Sequence, residues 1–162
     1  MLFRSVGKEL GVGDGHAVGN LLRVRHRVRD AFPGVRFERI LTVAWEGGHP
    51  DHDSTHLVAL ALAREWRTPL FEFPLYTQLG APRPLHRTMR LAPGRSGDRS
   101  FRIPLLRRLR LFALFRCYPS QWRTFLGLLP ESAWRILVQG VQPLRSVDTG
   151  VAPARPHAGQ LY

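Results

Sequence analysis

The hydrophobic pattern of the chain changes period several times, and each change marks an expected element. Over residues 17–32 the apolar positions Leu21, Val24, Val28 and Ala31/Phe32 recur near helical spacing until Pro33-Gly34 stops the run, which predicts a helix. Its inner stretch, residues 23–29, alternates arginine with other residues at period two, a pattern that also admits a strand, but the flanks favour the helix. Residues 37–45 are rich in β-branched and aromatic side chains and run into Gly47-Gly48, the profile of a buried strand entering a loop. Residues 54–66 read as a helix with Asp51 or Asp53 placed to cap its amino end, and residues 69–76 as a second strand that breaks at Pro74.

Strand, loop, helix and strand in that order form a βαβ unit, so the chain belongs to the α/β class with an at least partly parallel sheet. Before this unit, residues 1–16 carry glycine at positions 7, 11, 13 and 15, a density that predicts a loop. After it, residues 77–100 are proline- and glycine-rich, with a short hairpin expected around residues 87–91 and 100–103. Residues 105–117 are expected to form a helix that buries Leu105, Leu109 and Phe112, and residues 121–129 another with Ser120 as its cap. Residues 134–138 fit either a strand or a helix.

Composition narrows the class. The 162 residues, 44% hydrophobic and 22% charged, suit one globular domain and exclude collagen, coiled coil and wholly disordered chains. Twenty-four basic residues against 12 acidic give a net charge of +12, which brings polyanions and anionic membranes into consideration. Because the arginines are spread among Leu, Val and Phe, they read first as solvated faces, which speaks against a dedicated nucleic-acid site. A single cysteine, Cys117, excludes an intramolecular disulfide and a thiolate zinc cage and fits a reducing compartment, with the cytoplasm as the default. At the end of a helix it is expected to act as a small hydrophobe.

In an open α/β sheet the working groups sit beyond the carboxyl ends of the strands, and here that position falls on residues 46–53, Glu-Gly-Gly-His-Pro-Asp-His-Asp. Two histidines, two aspartates and a glutamate share this window, and His56 follows His52 by one helical turn. Imidazole and carboxylate are the usual ligands of a catalytic zinc, which takes three protein ligands and leaves one position for water. Aspartates at a helix start are equally explained as caps. His56, one turn deeper, is expected to pack or to support another residue, and Trp45 either lines a sugar-binding cleft or closes the core.

Residues 45–53, Trp-Glu-Gly-Gly-His-Pro-Asp-His-Asp, after a hydrophobic strand and before a helix, resemble the second signature of the PIG-L/LmbE-like deacetylases. The strand at 70–76, the Tyr-Pro-Ser-Gln turn at 118–121 and the ending at 155–162 also resemble that family, so that the likeness runs from about Phe37 onward. The resemblance implies a Rossmann-like fold and zinc-dependent hydrolysis of an N-acetyl group on a glucosamine-type or related amide, a small-molecule substrate. It implies that His52 is a zinc ligand, that His49 stabilises the oxyanion or protonates the leaving amine, and that Asp51 orients an imidazole. The family's first signature, a His-Pro-Asp-Asp-Glu stretch that supplies two further ligands and the general base, has no match here. The expected reading is therefore a single, incomplete deacetylase domain over residues 1–162, lacking about 60 residues at roughly 30 per βαβ unit and inactive by itself.

The competing class is a non-catalytic basic module. Arg23, Arg25, Arg27 and Arg29, or Arg107, Arg108, Arg110 and Arg116, would dock phosphates, while Phe112 and Phe115 would stack on bases or enter an anionic bilayer interface. Against it stands the expectation that Leu105, Leu109 and Phe112 are core.

Overall fold

The computed structural model describes residues 11–77, 85–91, 97–117 and 122–154. A 3-10 turn, Val18–Asn20, leads into helix α1, Leu21–Ala31, and strand β1, Ile40–Val43, follows. Helix α2 spans Pro50–Trp66 and strand β2 spans Leu70–Phe73. The register Ile40↔Leu70 to Val43↔Phe73 is parallel, so the βαβ unit and the α/β class read from the sequence are present. Strands β3, Tyr76–Thr77, and β4, Arg87–Thr88, pair antiparallel with each other. Strand β5, Arg99–Arg102, helix α3, Leu105–Ala113, and a 3-10 turn, Leu114–Cys117, come next. Helix α4, Trp122–Ser132, continues into a π-helical segment, Ala133–Gln139, which Gly140 ends in the left-handed conformation before strand β6, Val141–Val147. The main sheet runs β1-β2-β6-β5, with β6 antiparallel to both neighbours.

The core lies between α2 and this sheet. Leu60 and Ala63 of α2 pack on Leu70 of β2, with Ile40, Ala59 and Val147 around them. Each fully buried aliphatic side chain in such a layer contributes about 1.5–3 kcal/mol. Helix α1 lays Leu21, Val24 and Val28, all half-buried, toward α2 and keeps Arg23, Arg27 and Arg29 outward, while Arg25 pairs with Glu65 at 2.6 Å. The opposite face of the sheet is open among the described residues, and Leu41, Phe71, Phe73, Phe101 and Leu144 line a groove of about 440 Å³ there.

Several expectations need correction. Strand β1 is shorter than residues 37–45 and buries one face only, since Leu41 is exposed. Helix α2 begins four residues before Ser54, and its cap is His49 rather than Asp51 or Asp53. Residues 87–91 and 100–103 do not pair with each other: β4 joins β3 and β5 joins β6, because each finds a longer-range partner. The stretch 134–138 is π-helical, and β6 was not anticipated. Leu105 and Leu109 are 63% and 52% exposed rather than core, since α3 is held only from its other side, and Cys117 is exposed as well. Arg108 is engaged internally, with Nε donating to the Ile103 carbonyl at 2.6 Å and a terminal nitrogen to those of Leu137 and Val138. The motifs at 118–121, Ser120 included, and at 155–162 lie outside the described residues.

Candidate functional site

The loop from β1 to α2 is shaped by its own side chains. Gly47 adopts φ +67°, and Asp53, reaching back from the first turn of α2, accepts from the backbone N–H groups of Glu46 and Gly47 at 3.1 and 3.2 Å. A Cβ at Gly48 would lie 3.2 Å from the Tyr76 carbonyl oxygen, so glycine lets the loop press against β3. Pro50 occupies the first helical position, where its fixed φ suits the helix and its missing N–H goes unneeded.

His49 caps α2 from an extended backbone, and its Nδ1 accepts from the Asp51 backbone N–H at 3.2 Å. A ring nitrogen that accepts carries no proton, so the neutral imidazole holds its hydrogen on Nε2. The Asp51 carboxylate accepts from Gly15 and Ala17 N–H at 2.5 and 3.0 Å. Slight desolvation raises the Asp51 pKa, but the two backbone donors outweigh it and leave the carboxyl below its ordinary range. These bonds fasten the loop ahead of α1 onto the start of α2, and Asp14 comes close enough to act electrostatically on Asp51, His52 and Tyr76.

The rings of His49 and His52 lie 4.8 Å apart, and Tyr76 meets His52 edge-on at 5.2 Å. On the far side Tyr76 meets His86 edge-on at 5.7 Å. Three imidazoles and a phenol thus line one edge of the fold, at the carboxyl ends of the parallel strands. Desolvation, followed by the neighbouring His49, lowers the His52 pKa. His56 lies beneath, 2% exposed, with Nδ1–H donating to the Val43 carbonyl at 3.0 Å and lying 3.4 Å from Glu72. It packs and supports, as its position on the helix predicted. Trp45 is half-buried over His56, lines a separate cleft of about 320 Å³ and donates from Nε1 to the Ala154 carbonyl at 2.9 Å.

Beside the loop lies a buried acidic pair. Glu46 is 4% exposed, and burial, opposed by the Leu75 N–H and reinforced by Asp53 and Glu72, pushes its pKa up to about 8. Glu72 is fully buried and joined to Arg145, whose Nε lies at 2.7 Å from Oε1.

Asp14, Tyr76 and His86 were missed by sequence reasoning. Asp14 stood in a glycine-rich loop with no period to place it, and His86 lies between two turn-rich stretches; only the contacts from residues 15 and 17 to residue 51 and the pairing of β3 with β4 bring them in. A zinc site does not assemble here: among the described residues no group of three or more His, Cys, Asp or Glu side chains is placed to hold a metal ion.

No protein-family profile and no curated protein matches the chain. Two solved structures share its fold. The deacetylase of the A40926 pseudoaglycone, Dbv21, superposes with a TM-score of 0.54 at 20% identity, over 88% of this chain and 60% of that one. The zinc-inhibited form of teicoplanin deacetylase, Orf2, superposes with a TM-score of 0.51 at 19% identity, over 82% of this chain and 53% of that one. The chain therefore has a deacetylase-like α/β fold and spans little more than half the length of these deacetylases.

Proposed function

We propose that the chain carries the imidazole side of an amide hydrolase site that removes an N-acetyl group from a glucosamine-type or related small-molecule amide. The observation that carries the reading is the capped His49. Its Nδ1 is occupied by the Asp51 N–H, so Nε2–H is the free end, held on the first turn of a helix at the carboxyl edge of the sheet. A neutral imidazole presented this way donates to the carbonyl oxygen of an amide as that oxygen gains negative charge, and removing such a donor typically costs about 10²–10³ in turnover. Asp51 is the positioning residue, acting through its backbone on His49 and through its carboxylate on the 11–17 loop. His52 stands beside His49 with Tyr76 against its ring.

The family resemblance assigns zinc to His52, and the Orf2 neighbour is described in a zinc-inhibited form. Among the described residues no group of three ligand side chains forms around it. Zinc alone should bind this chain far more weakly than a complete structural site, whose binding is worth about 10–16 kcal/mol. The activity of the whole protein is proposed for the chain together with whatever groups complete the site.

Two measurements test the reading. Histidine-selective NMR, with N-acetylglucosamine glycosides titrated into the chain, should shift His49 and His52 and leave the exposed His26 in place. Any acetate released from the same glycosides, with or without added zinc, should fall to background in His49→Ala. If neither histidine shifts, or if acetate release survives His49→Ala undiminished, the reading is wrong.

A further inference from the structure

Helix α3 is attached along one side only. Arg108 grips the carbonyl groups of Ile103, Leu137 and Val138, and Phe112 is half-buried against Phe115, which in turn meets Phe125 at 4.8 Å. At about 100° per residue, Leu105, Leu109 and Leu106 fall within one arc of roughly 100° on the outward side, with Arg110 about 40° beyond its edge and Arg107 nearly opposite its centre. All five side chains are exposed, with the three leucines at 63%, 52% and 62%. The π-helical segment that packs on α3 also exposes Trp134 and Val138. Residues 99–117 hold six arginines and no acidic residue.

A leucine stripe turned toward water is not explained by core formation, and the arginine at its edge narrows the choice of occupant. A second copy docked on this face would bring the Arg110 edge of one chain toward that of another, in a chain that already carries +12. An anionic bilayer surface supplies the acyl boundary for the leucines and phosphates for the arginines in one partner. Nine helical residues cover about 14 Å, well short of a span. No described helix is long and apolar enough to cross a membrane. We propose that α3 is an in-plane anchor that docks the protein on an anionic lipid surface through Leu105, Leu106 and Leu109, with Arg110 and Arg116 reaching lipid phosphates. This proposal stands independently of the hydrolase reading.

The experiment is co-sedimentation of the full chain with vesicles of pure phosphatidylcholine and of phosphatidylcholine with 30% phosphatidylglycerol, at low and high salt. The chain should pellet with the anionic vesicles and stay in solution with the neutral ones. Leu105→Ser/Leu109→Ser should lower the partition coefficient about tenfold or more with an unchanged far-ultraviolet circular dichroism spectrum, since both side chains are exposed. Arg110→Gln/Arg116→Gln should weaken binding by a similar factor and flatten its salt dependence. Binding that survives the leucine exchange undiminished would mean charge attraction alone and would overturn the proposal. So would absence of binding to the anionic vesicles, or sedimentation velocity showing a dimer that the leucine exchange dissolves.

Discussion

Glu46 offers the most quantitative check on the site loop. Its carboxyl is displaced from an ordinary 4.5 to about 8, first by burial and then by Asp53 and Glu72, against the opposing Leu75 N–H. Folded protein therefore holds this proton where unfolded chain has released it. Below pH 4.5 both states are protonated and the group has no linkage effect; between 4.5 and 8 stability falls as pH rises; above 8 the loss is complete. Integrating the two titrations, the Glu46 contribution should decline by about 2–3 kcal/mol between pH 5 and pH 7. Depressed pKa values at His52 and His56 act with the opposite sign, because unfolded histidine takes up protons more readily below its ordinary 6.5. Their slope is removed by comparing the wild type with Glu46→Gln at each pH, as the amide keeps the acceptor for Leu75 N–H and carries no titratable proton. Urea unfolding at pH 5, 6, 7 and 8 gives the two stability curves. The variant should gain on the wild type steadily across this range, by about 2–3 kcal/mol from pH 5 to pH 7. Two parallel curves would refute the argument, since a carboxyl that titrates equally in both states cannot be held protonated by its burial.

Three further outcomes follow from the same geometry. Glu72→Ala leaves Arg145 and His56 without their shared carboxylate beneath the loop and should lower stability by about 3–5 kcal/mol in denaturant unfolding, whereas a loss under 1 kcal/mol would show the pair to be incidental. Asp51→Asn keeps one acceptor oxygen of the two that hold Gly15 and Ala17; it should cost about 0.5–1.5 kcal/mol and raise amide hydrogen exchange locally at residues 15 and 17, with the sheet amides unchanged. His49→Ser restores an N-cap without the imidazole, so it should melt within about 1 kcal/mol of the wild type while losing the response to N-acetylglucosamine glycosides; a retained response would remove His49 from the chemistry.

What could be read from the sequence was what local period and punctuation encode. The βαβ unit was legible because Pro33-Gly34, Gly47-Gly48 and Pro74 bound runs of distinct spacing. The His-Pro-Asp-His window was legible because its residue types are concentrated at a strand-to-helix turn. Strand β6 escaped because its apolar residues Val141, Leu144 and Val147 do not alternate, Pro143 sits inside it, and its pairing with β2 joins residues more than 70 positions apart. For α3 the period was read rightly and its consequence wrongly: an amphipathic stripe shows that one face is apolar, but not that anything covers it. Capping of α2 by His49 also ran against expectation, since aspartate is the better N-cap in general. Here Asp53 is drawn to Glu46 and Gly47 and Asp51 to Gly15 and Ala17, which leaves the imidazole as the group at hand.

The same competition for donors explains why a modest apolar core positions this site. Leu60, Ala63 and Leu70 hold α2 on the sheet, but non-directional contact tolerates sliding and rotation that would move His49 and His52 by an ångström or more. Directional contacts remove that freedom. Glu72 on β2 meets Arg145 on β6, His56 on α2 and, at 3.4 Å, the Trp45 N–H at the start of the loop. Asp53 ties the first turn of α2 to the loop, and Asp51 ties it to the segment before α1. Each carboxylate accepts bonds from a different neighbour, so the rings above them have one orientation in which all three are satisfied. In a low-dielectric interior an unmade bond to Glu72 or Asp53 is expensive, and that expense fixes the geometry to which the apolar contacts are indifferent. The candidate site is thus held mainly by buried acids that do not themselves face the cleft, and changes at Glu72 or Asp53 should be felt at His49 and His52 before they are felt in the hydrophobic layer.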